Sequence, residues 1–383
     1  MSRIGELALI SFKLGVLGFG GPAAHIAMLE DEVVKRRKWI TPERFLDMMG
    51  ATNLIPGPNS TEMVLHVGFI RAGWVGLLVA GTCFILPAAA IVTGLAWLYR
   101  EYGSLPDVTF FLKGIQSVVP VLIAMAVWRL GRTALKSSLL TVIGVSVAAA
   151  VLLGADPVLA LLGGGLVGMV LGKKPAGSLS GKGTAVVIGG WGLLGTGGGT
   201  LAAAGAAGVM KATLVELGLV FLKIGSVLFG TGYVLVAYLE RELVNNPEFG
   251  LSHEQLLDAV AAGNLTPGPI LSTASFIGYL LGDLPGAAVA TAGIFLPSFI
   301  FVVLLAKIIW RLRASARLGA FLDAVNVSSV GLMAAVTFTL LQNTMLQWQN
   351  WVLAVLAAVL LSVFKLSPLW LIPASSAAGW LLF

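Results

Sequence analysis

Charge is scarce in this chain. Of its 383 residues, 11% are charged and 57% are hydrophobic, and the mean hydropathy is +0.95. Soluble domains carry roughly 25% charged residues, so this composition cannot cover a water-exposed surface. It excludes a soluble enzyme and an intrinsically disordered chain. A polytopic membrane protein remains, and long unbroken apolar runs favour membrane-spanning helices over the alternating strands of a β-barrel.

Cysteine and histidine are scarce as well. Cys83 is the single cysteine, so neither an internal disulfide nor a multi-thiolate metal site can form. The three histidines, His25, His66 and His253, are too scattered along the sequence to predict a metal site. The GKGT stretch at 181–184 lacks the spacing of a P-loop. The sequence therefore predicts no metal, no cofactor and no enzyme.

The apolar runs predict an all-α membrane protein. Most of them approach the length of about 20 residues that spans a bilayer. Four other segments are interrupted by glycine and proline, and none of these is a clean span: Glu6–Val34, Glu43–Ile70, Glu216–Val244 and Glu254–Leu281. The predicted spans are Trp74–Tyr99, Val108–Trp128, Leu139–Leu153, Val158–Leu171, Ala185 to about Val209, Leu284–Ile309, Ala320–Leu341, Trp351–Phe364 and Leu369–Phe383.

The two halves of the chain repeat each other. Phe12–Gly15 corresponds to Leu222–Gly225 at an offset of 210 residues, and Asn53–Pro58 corresponds to Asn264–Pro269 at an offset of 211. A match this extended is not composition bias. We therefore predict an N-terminal repeat over residues 1–172, a linker with one extra span over 173–210, and a C-terminal repeat over 211–383.

The distribution of basic residues predicts that the repeats are inverted. Lysine and arginine outnumber aspartate and glutamate by 24 to 18, and cytoplasmic loops carry such an excess. Lys35–Lys38 has no basic counterpart near Asn245, whereas the cluster from Lys307 to Arg317 has an almost neutral counterpart near Arg100. The positive loops thus swap between the halves, and the odd span in the linker permits the inversion. We attribute the basic excess to membrane topology and predict no binding of nucleic acid.

The Gly/Pro breaks are the candidate binding site. Inverted repeats with broken helices in matching positions are typical of secondary transporters. A half-helix that starts at such a break directs unpaired N–H groups and a partial positive charge towards the midplane, which suits an anion. A lone cluster of this kind is usually a turn or a kink, and its repetition in both halves favours function. The candidate substrate-binding residues are Lys13, Gly20, Gly21, Asn53, Gly57, Asn59, Ser60, Thr61, Lys223, Gly230, Thr231, Asn264, Thr266 and Gly268.

Ionisable residues within apolar segments are costly and mark candidate functional sites. Glu62 and His66 lie one turn apart on a helix face and could relay a proton. Glu30 and Glu240 could carry a coupling proton or sit on an amphipathic surface helix. For Lys13 and Lys223, the alternative to attracting substrate is a structural pair with a glutamate on the same helix.

The motifs resemble those of the chromate ion transporter family, in its long two-domain type. They are FGGP at 19–22, LEDEVV at 29–34, NLIPGPNS at 53–60 and NLTPGP at 264–269. The second half departs from the first, because it has Thr231-Gly232 in place of Gly21-Pro22 and lacks the Asn-Ser-Thr run after its Pro-Gly-Pro.

The resemblance implies a multi-pass protein of a prokaryotic cytoplasmic membrane that exports chromate. The residues themselves predict a secondary transporter of a tetrahedral oxyanion. They leave open sulfate as the substrate, an anion channel as the mechanism, and coupling to protons. The partners expected are the oxyanion and the lipid bilayer, and a homodimer is a prior expectation for symmetric carriers that the sequence does not test.

Overall fold

The computed structural model describes residues 2–19, 21–52, 55–103, 105–135, 137–171, 213–229, 232, 234–312, 316–364, 366 and 368–383. Within these ranges all regular structure is helical, as the apolar runs predict. The linker and the predicted span at Ala185–Val209 lie outside the described residues.

The first half contains seven described α-helices. A π-helical segment, Asp31–Arg36, continues α2. The helices are α1 (Arg3–Leu17), α2 (Pro22–Glu30), α3 (Pro42–Thr52), α4 (Asn59–Tyr102), α5 (Pro106–Ala134), α6 (Ser138–Leu152) and α7 (Pro157–Leu171).

The second half contains seven more described α-helices in the same order. A π-helical segment, Glu240–Val244, follows α9, and a 3₁₀ turn, Ile270–Ser272, precedes α11. The helices are α8 (Leu214–Val227), α9 (Val234–Leu239), α10 (His253–Leu265), α11 (Thr273–Leu312), α12 (Ala316–Thr344), α13 (Trp348–Ser362) and α14 (Pro368–Leu382).

Helix α4 is a hairpin of two arms. The backbone leaves the helical region at Ala72 (φ −148°) and at Gly73 (φ +58°). Gly68 and Gly76 lie so close that a Cβ on either would overlap the carbonyl oxygen of the other. Residues eight apart in a continuous helix are separated by about 12 Å along its axis, so the chain has reversed direction. The arm 59–71 thus folds back along the arm 74–102.

Helix α11 repeats this hairpin at an offset of 210. Its backbone breaks at Gly282 (φ −155°) and Asp283 (φ +54°). Gly278 and Gly286 make the same close approach as their first-half counterparts. The aspartate occupies the left-handed position that glycine fills in α4, a conformation that asparagine and aspartate tolerate better than other non-glycine residues.

The first helix of each half packs on the long arm of its own hairpin. Gly15 of α1 abuts the backbone of Phe84, and Gly225 of α8 abuts the backbone of Ile294. The two hairpins also contact each other, because Phe299 of α11 lies against Gly81 of α4. The two hairpins and the first helix of each half therefore pack together as one unit.

Four described helices are long and apolar enough to cross a bilayer: Asn59–Tyr102, Val108–Arg132, Ile270–Leu304 and Gly319–Thr344. Helices α6, α7, α13 and α14 are apolar but have 15 residues each, fewer than a straight span needs. Large side chains such as Leu78, Leu86, Leu296 and Ile300 are exposed on the long arms. That exposure suits a lipid-facing surface and would be costly in water.

Candidate functional site

The four Gly/Pro breaks meet in pairs, each pair joining the two halves. The N–H of Gly57, in the first Pro-Gly-Pro loop (56–58), donates to the carbonyl oxygen of Leu228 at 2.6 Å. The N–H of Gly268, in the second Pro-Gly-Pro loop (267–269), donates to the carbonyl oxygen of Gly18 at 2.9 Å. The donors are repeat counterparts, and so are the acceptors. We call this place the crossing.

The sequence allows these loops because proline and glycine stand where a helix cannot continue. Proline lacks the N–H that would continue a helical hydrogen-bond ladder. Gly57 has φ +138° and Gly268 has φ +92°, a region that favours glycine. A Cβ at Gly57 would overlap the Glu62 carboxylate and lie 2.7 Å from the Ser298 hydroxyl. The loop backbone therefore approaches its neighbours closely.

His25 ties the first glycine break to the start of α4. Its Nε2 lies 2.7 Å from the carbonyl oxygen of Gly18, and its Nδ1 lies 3.3 Å from the Ser60 hydroxyl oxygen. A carbonyl oxygen only accepts, so Nε2 donates, and in the neutral ring Nδ1 accepts from Ser60. Phe84 packs edge-on against the ring at 5.3 Å. This network fixes the carbonyl to which Gly268 also donates.

Three buried hydroxyl groups at and around the crossing have no hydrogen-bond partner among the described residues. Thr61 and Ser272 are repeat counterparts that follow the two Pro-Gly-Pro loops, and Ser298 comes from α11. No side chain caps the start of α4 or of the 3₁₀ turn before α11. Buried hydroxyls normally find a partner, so each unpaired one requires an explanation. Here they can bind a ligand that carries acceptor oxygens.

Glu62 is the most buried ionisable residue of the site. Its side chain is fully buried on α4, and neither carboxyl oxygen has a partner among the described residues. It lies against Gly57 on the side where Ser298 also lies. His66 follows one turn later, buried, with Nδ1 unpartnered within the described part of the chain. The predicted Glu62–His66 face thus points into the protein.

Sequence comparison identifies the protein's family. The profile of the chromate transporter family matches residues 5–169 and 215–380, which together cover most of the chain. The chain belongs to the chromate transporter family. Membership makes it a membrane transporter and not an enzyme, as the sequence predicts. The matched segments begin 210 residues apart, at the offset of the internal repeat.

Curated relatives extend over nearly the whole chain. A chromate transport protein of Pseudomonas aeruginosa is 31% identical over 397 aligned positions, covering 97% of this chain and 90% of that protein. One of Cupriavidus metallidurans is 28% identical, covering 94% and 88%. The uncharacterized transporter YwrA of Bacillus subtilis is 28% identical over 131 residues, which are 34% of this chain and 74% of that protein. No solved structure matches.

The crossing of this transporter is asymmetric in chemistry. By the repeat offsets, Glu62 of the first half corresponds to Thr273 and His66 to Ile277. Ser298 of the second half corresponds to Ala88, which lies against Gly268 as Ser298 lies against Gly57. Polar groups therefore concentrate at the first Pro-Gly-Pro loop. Asn59, at the start of α4, is half-buried there.

Several predicted residues have structural partners away from the crossing. Lys13 forms an ion pair with Glu32 at 2.8 Å, and Lys223 forms the equivalent pair with Glu242 at 2.7 Å. The expected lysine–glutamate pairs thus exist, but their glutamates lie on the π-helical segments and not on the lysines' own helices. The Lys13 hydrogen bond holds the pKa of Glu32 below its ordinary value.

The remaining predicted residues divide by location. Asn264 and Thr266 bond to carbonyl oxygens of their own helix, at Val260 and Ala262. Gly21 begins α2 with φ +77° and faces Ile270. Glu30 lies near Lys35 on the surface, and Glu240 is buried beside His253. Gly20, Asn53, Gly230 and Thr231 lie outside the described residues.

A separate polar cavity of about 300 Å³ lies between α5, α10, α12 and the start of α13. Its lining includes Lys113, Gln116, Asn343 and Asn350. Gln116 bridges to Asp258, donating to both carboxylate oxygens at 3.1 Å. The predicted topology places this cavity on the side opposite the Lys35–Lys38 cluster.

Sequence reasoning missed His25 and Ser298. No motif marks His25 as a bridge between Gly18 and Ser60, because that role depends on tertiary proximity. Ser298 directly follows Leu296-Pro297, a dipeptide that repeats Leu86-Pro87 of the first half. The corresponding residue of the first half is Ala88, so the sequence shows a polar residue at this position in the second half only. The place of Ser298 beside Gly57 follows from tertiary packing.

Proposed function

We propose that this transporter exports chromate across the cytoplasmic membrane of a prokaryote and binds the dianion at the crossing. The observation that carries the proposal is the convergence of broken helices with unpartnered buried hydroxyls, those of Thr61, Ser272 and Ser298. Two relatives over almost the full chain are named chromate transport proteins. Hydroxyl groups and the N–H groups of an uncapped helix start suit a tetrahedral oxyanion.

The proposed mechanism is that of a secondary carrier built from two inverted halves. The halves meet through the Gly57–Leu228 and Gly268–Gly18 hydrogen bonds. Rocking of one half about this junction would expose the crossing to each side in turn. Export of a dianion from a negative-inside cell is favoured by about 2.3 kcal/mol per charge for each 100 mV, so a uniporter suffices energetically. Sulfate has the same shape and charge and is the alternative substrate.

Transport into inside-out vesicles tests the proposal. Labelled chromate and sulfate are supplied outside, with the membrane potential and the pH gradient clamped separately. We expect chromate to accumulate above protein-free vesicles when the potential corresponds to that of the cell. Rates far above those of carriers and unsaturable flux would favour a channel. Failure of both anions to accumulate would refute oxyanion transport.

A further inference from the structure

We infer that Glu62 binds the oxyanion in its protonated form, as a neutral hydrogen-bond donor, so that transport requires a proton on this residue. The inference rests on the proposed function and refines its site. The Glu62 carboxyl group is fully buried, lies against the first Pro-Gly-Pro loop, and has no hydrogen-bond partner among the described residues.

Burial sets the charge state of the Glu62 carboxyl group. An isolated ionised carboxylate in an apolar interior is so costly that the group normally takes up a proton or pairs with a cation. No described salt bridge involves Glu62. The two lysines nearest in sequence to the breaks, Lys13 and Lys223, are held by Glu32 and Glu242. Because no cation pairs with it, the Glu62 carboxyl group takes up a proton.

No other ionisable side chain described on α4, or on the helices that pack against it, forms an ion pair with Glu62. On α4 itself, His66 is buried and Arg71 lies near Glu6 of α1. From α2, His25 is occupied by Gly18 and Ser60. Several further groups have partners of their own: Glu30 of α2 lies beside Lys35, His253 of α10 beside Glu240, Asp258 of α10 is held by Gln116, and Asp283 of α11 pairs with Arg100 of α4. Glu43 and Arg44 lie at the exposed start of α3, and Glu101 lies at the exposed end of α4.

The dianion reinforces the same charge state. Two like charges within a few ångströms in a poorly solvated site repel strongly. A bound oxyanion therefore opposes ionisation of Glu62, whereas a protonated carboxyl group can donate a hydrogen bond to an anionic oxygen. By linkage, the anion raises the affinity of the site for the proton, and the proton raises its affinity for the anion.

The difference between the halves makes the inference specific. At the 211 offset of the Pro-Gly-Pro loops the counterpart of Glu62 is Thr273, whose hydroxyl donates to the carbonyl oxygen of Ile270 at 2.8 Å, and at the 210 offset of the hairpins it is Ser272. A threonine does not change its charge over the physiological pH range. Among the described residues, a carboxyl group therefore lies beside the first Pro-Gly-Pro loop, and the matching position of the second half holds a hydroxyl group.

Proteoliposomes with equal pH on both sides provide the test. Wild type, Glu62→Gln, Glu62→Ala and a control, Glu101→Gln at the exposed end of α4, are compared over a range of pH at a fixed potential. Sulfate is measured beside chromate, because sulfate remains a dianion over the whole range while chromate takes up a proton in mild acid. Each variant is first checked by size-exclusion chromatography in detergent.

We expect wild-type and Glu101→Gln transport to fall as the pH rises. Glu62→Gln keeps a neutral donor, so its transport should vary less than roughly twofold over the same range. Glu62→Ala should lose roughly tenfold or more, because a hydrogen bond to a charged group is removed. A Glu62→Gln profile that falls like the wild type would overturn the inference, and so would an unchanged rate in Glu62→Ala.

Infrared difference spectroscopy gives a readout that does not need transport. The carbonyl stretch of a protonated carboxyl group should be present in wild type and Glu101→Gln and absent from Glu62→Gln. The same band in Glu62→Gln would show that the proton sits elsewhere and overturn the inference. A further outcome is loss of the band in Glu62→Gln while neither the wild type nor any variant transports chromate or sulfate. That result would refute the proposed function but would still show that Glu62 is protonated.

Discussion

Gly57 has no space for a side chain, and its conformation does not suit one. A Cβ there would overlap Glu62 and press on Ser298, and φ is +138°. Its N–H also holds the carbonyl oxygen of Leu228. The residue therefore joins the two halves at the place where the carboxyl group is buried.

We predict that Gly57→Ala lowers stability by roughly 1–2 kcal/mol, the cost of placing an L-residue in the left-handed region, and strongly reduces transport. Gly94→Ala on the same helix is the matched control, because nothing lies within 4 Å of its Cβ position. Thermal unfolding in detergent and vesicle uptake measure the two effects. Equal behaviour of the two variants would contradict the close packing at Gly57.

The Lys13–Glu32 ion pair decides between a structural and a substrate role for the lysine. The hydrogen bond from Lys13 lowers the pKa of Glu32 from its ordinary value of 4.5. A lowered pKa means that the pair stabilises the fold at neutral pH, and that this stabilisation is lost as the pH falls below about 4.5 through the folded-state value.

We predict that Lys13→Gln lowers thermal stability at pH 7, because it removes the 2.8 Å ion pair and leaves the Glu32 carboxylate only the longer contacts with Arg36 and Arg37. The double variant Lys13→Gln/Glu32→Gln should recover part of the stability and transport, because position 32 then no longer carries a poorly paired charge. At acidic pH the single variant and the wild type should converge. A double variant that is stable but still inactive would assign Lys13 to the substrate, as the sequence predicts.

The hairpins of α4 and α11 have equivalent turns. In each, a glycine pair lets two arms touch, and one residue at the turn has positive φ. Gly73 occupies that place in α4 and Asp283 in α11. Space around Gly73 is open, so its constraint comes from the backbone alone.

We therefore predict that Gly73→Asn is tolerated and that Gly73→Val is destabilising by roughly 1–2 kcal/mol or more, since a β-branched residue with positive φ is strained. Thermal unfolding of the purified variants checks the difference. Equal loss in both would point to a contact at the turn instead of backbone strain.

At the scale of the whole molecule, inversion of the halves is a prediction of the charge pattern. The pairwise contacts at the crossing are equivalent between halves, and this equivalence is compatible with inversion. Direct evidence requires the sides of the membrane to be identified. Cys83 is the single native cysteine, so replacing it provides a clean background.

In that background we predict that cysteines at positions 36 and 317 react with an impermeant thiol reagent from the cytoplasmic side. A cysteine at position 245, the repeat counterpart of Lys35, should react from the opposite side. All three positions are exposed. Labelling of 36 and 245 from the same side would show that the halves are parallel.

The sequence alone determined the class of this protein, its repeat and the position of its breaks. Charge scarcity, apolar runs and paired motifs are local properties, and each described span predicted from them is a helix or the arm of one. The same properties placed Glu62 and His66 one turn apart on a helix face, and the structure shows that both are buried. They carried the family resemblance as well, which the comparison confirmed.

Only the tertiary structure decided which breaks touch and which charges pair. Gly57 meets Leu228, and Lys13 meets Glu32 instead of Glu6, because chain segments distant in sequence pack side by side. Helical periodicity relates residues three or four apart, but it cannot say which element lies opposite. The burial that leaves Glu62 without a cation is a property of that packing, and it turns a sequence position into a candidate proton site.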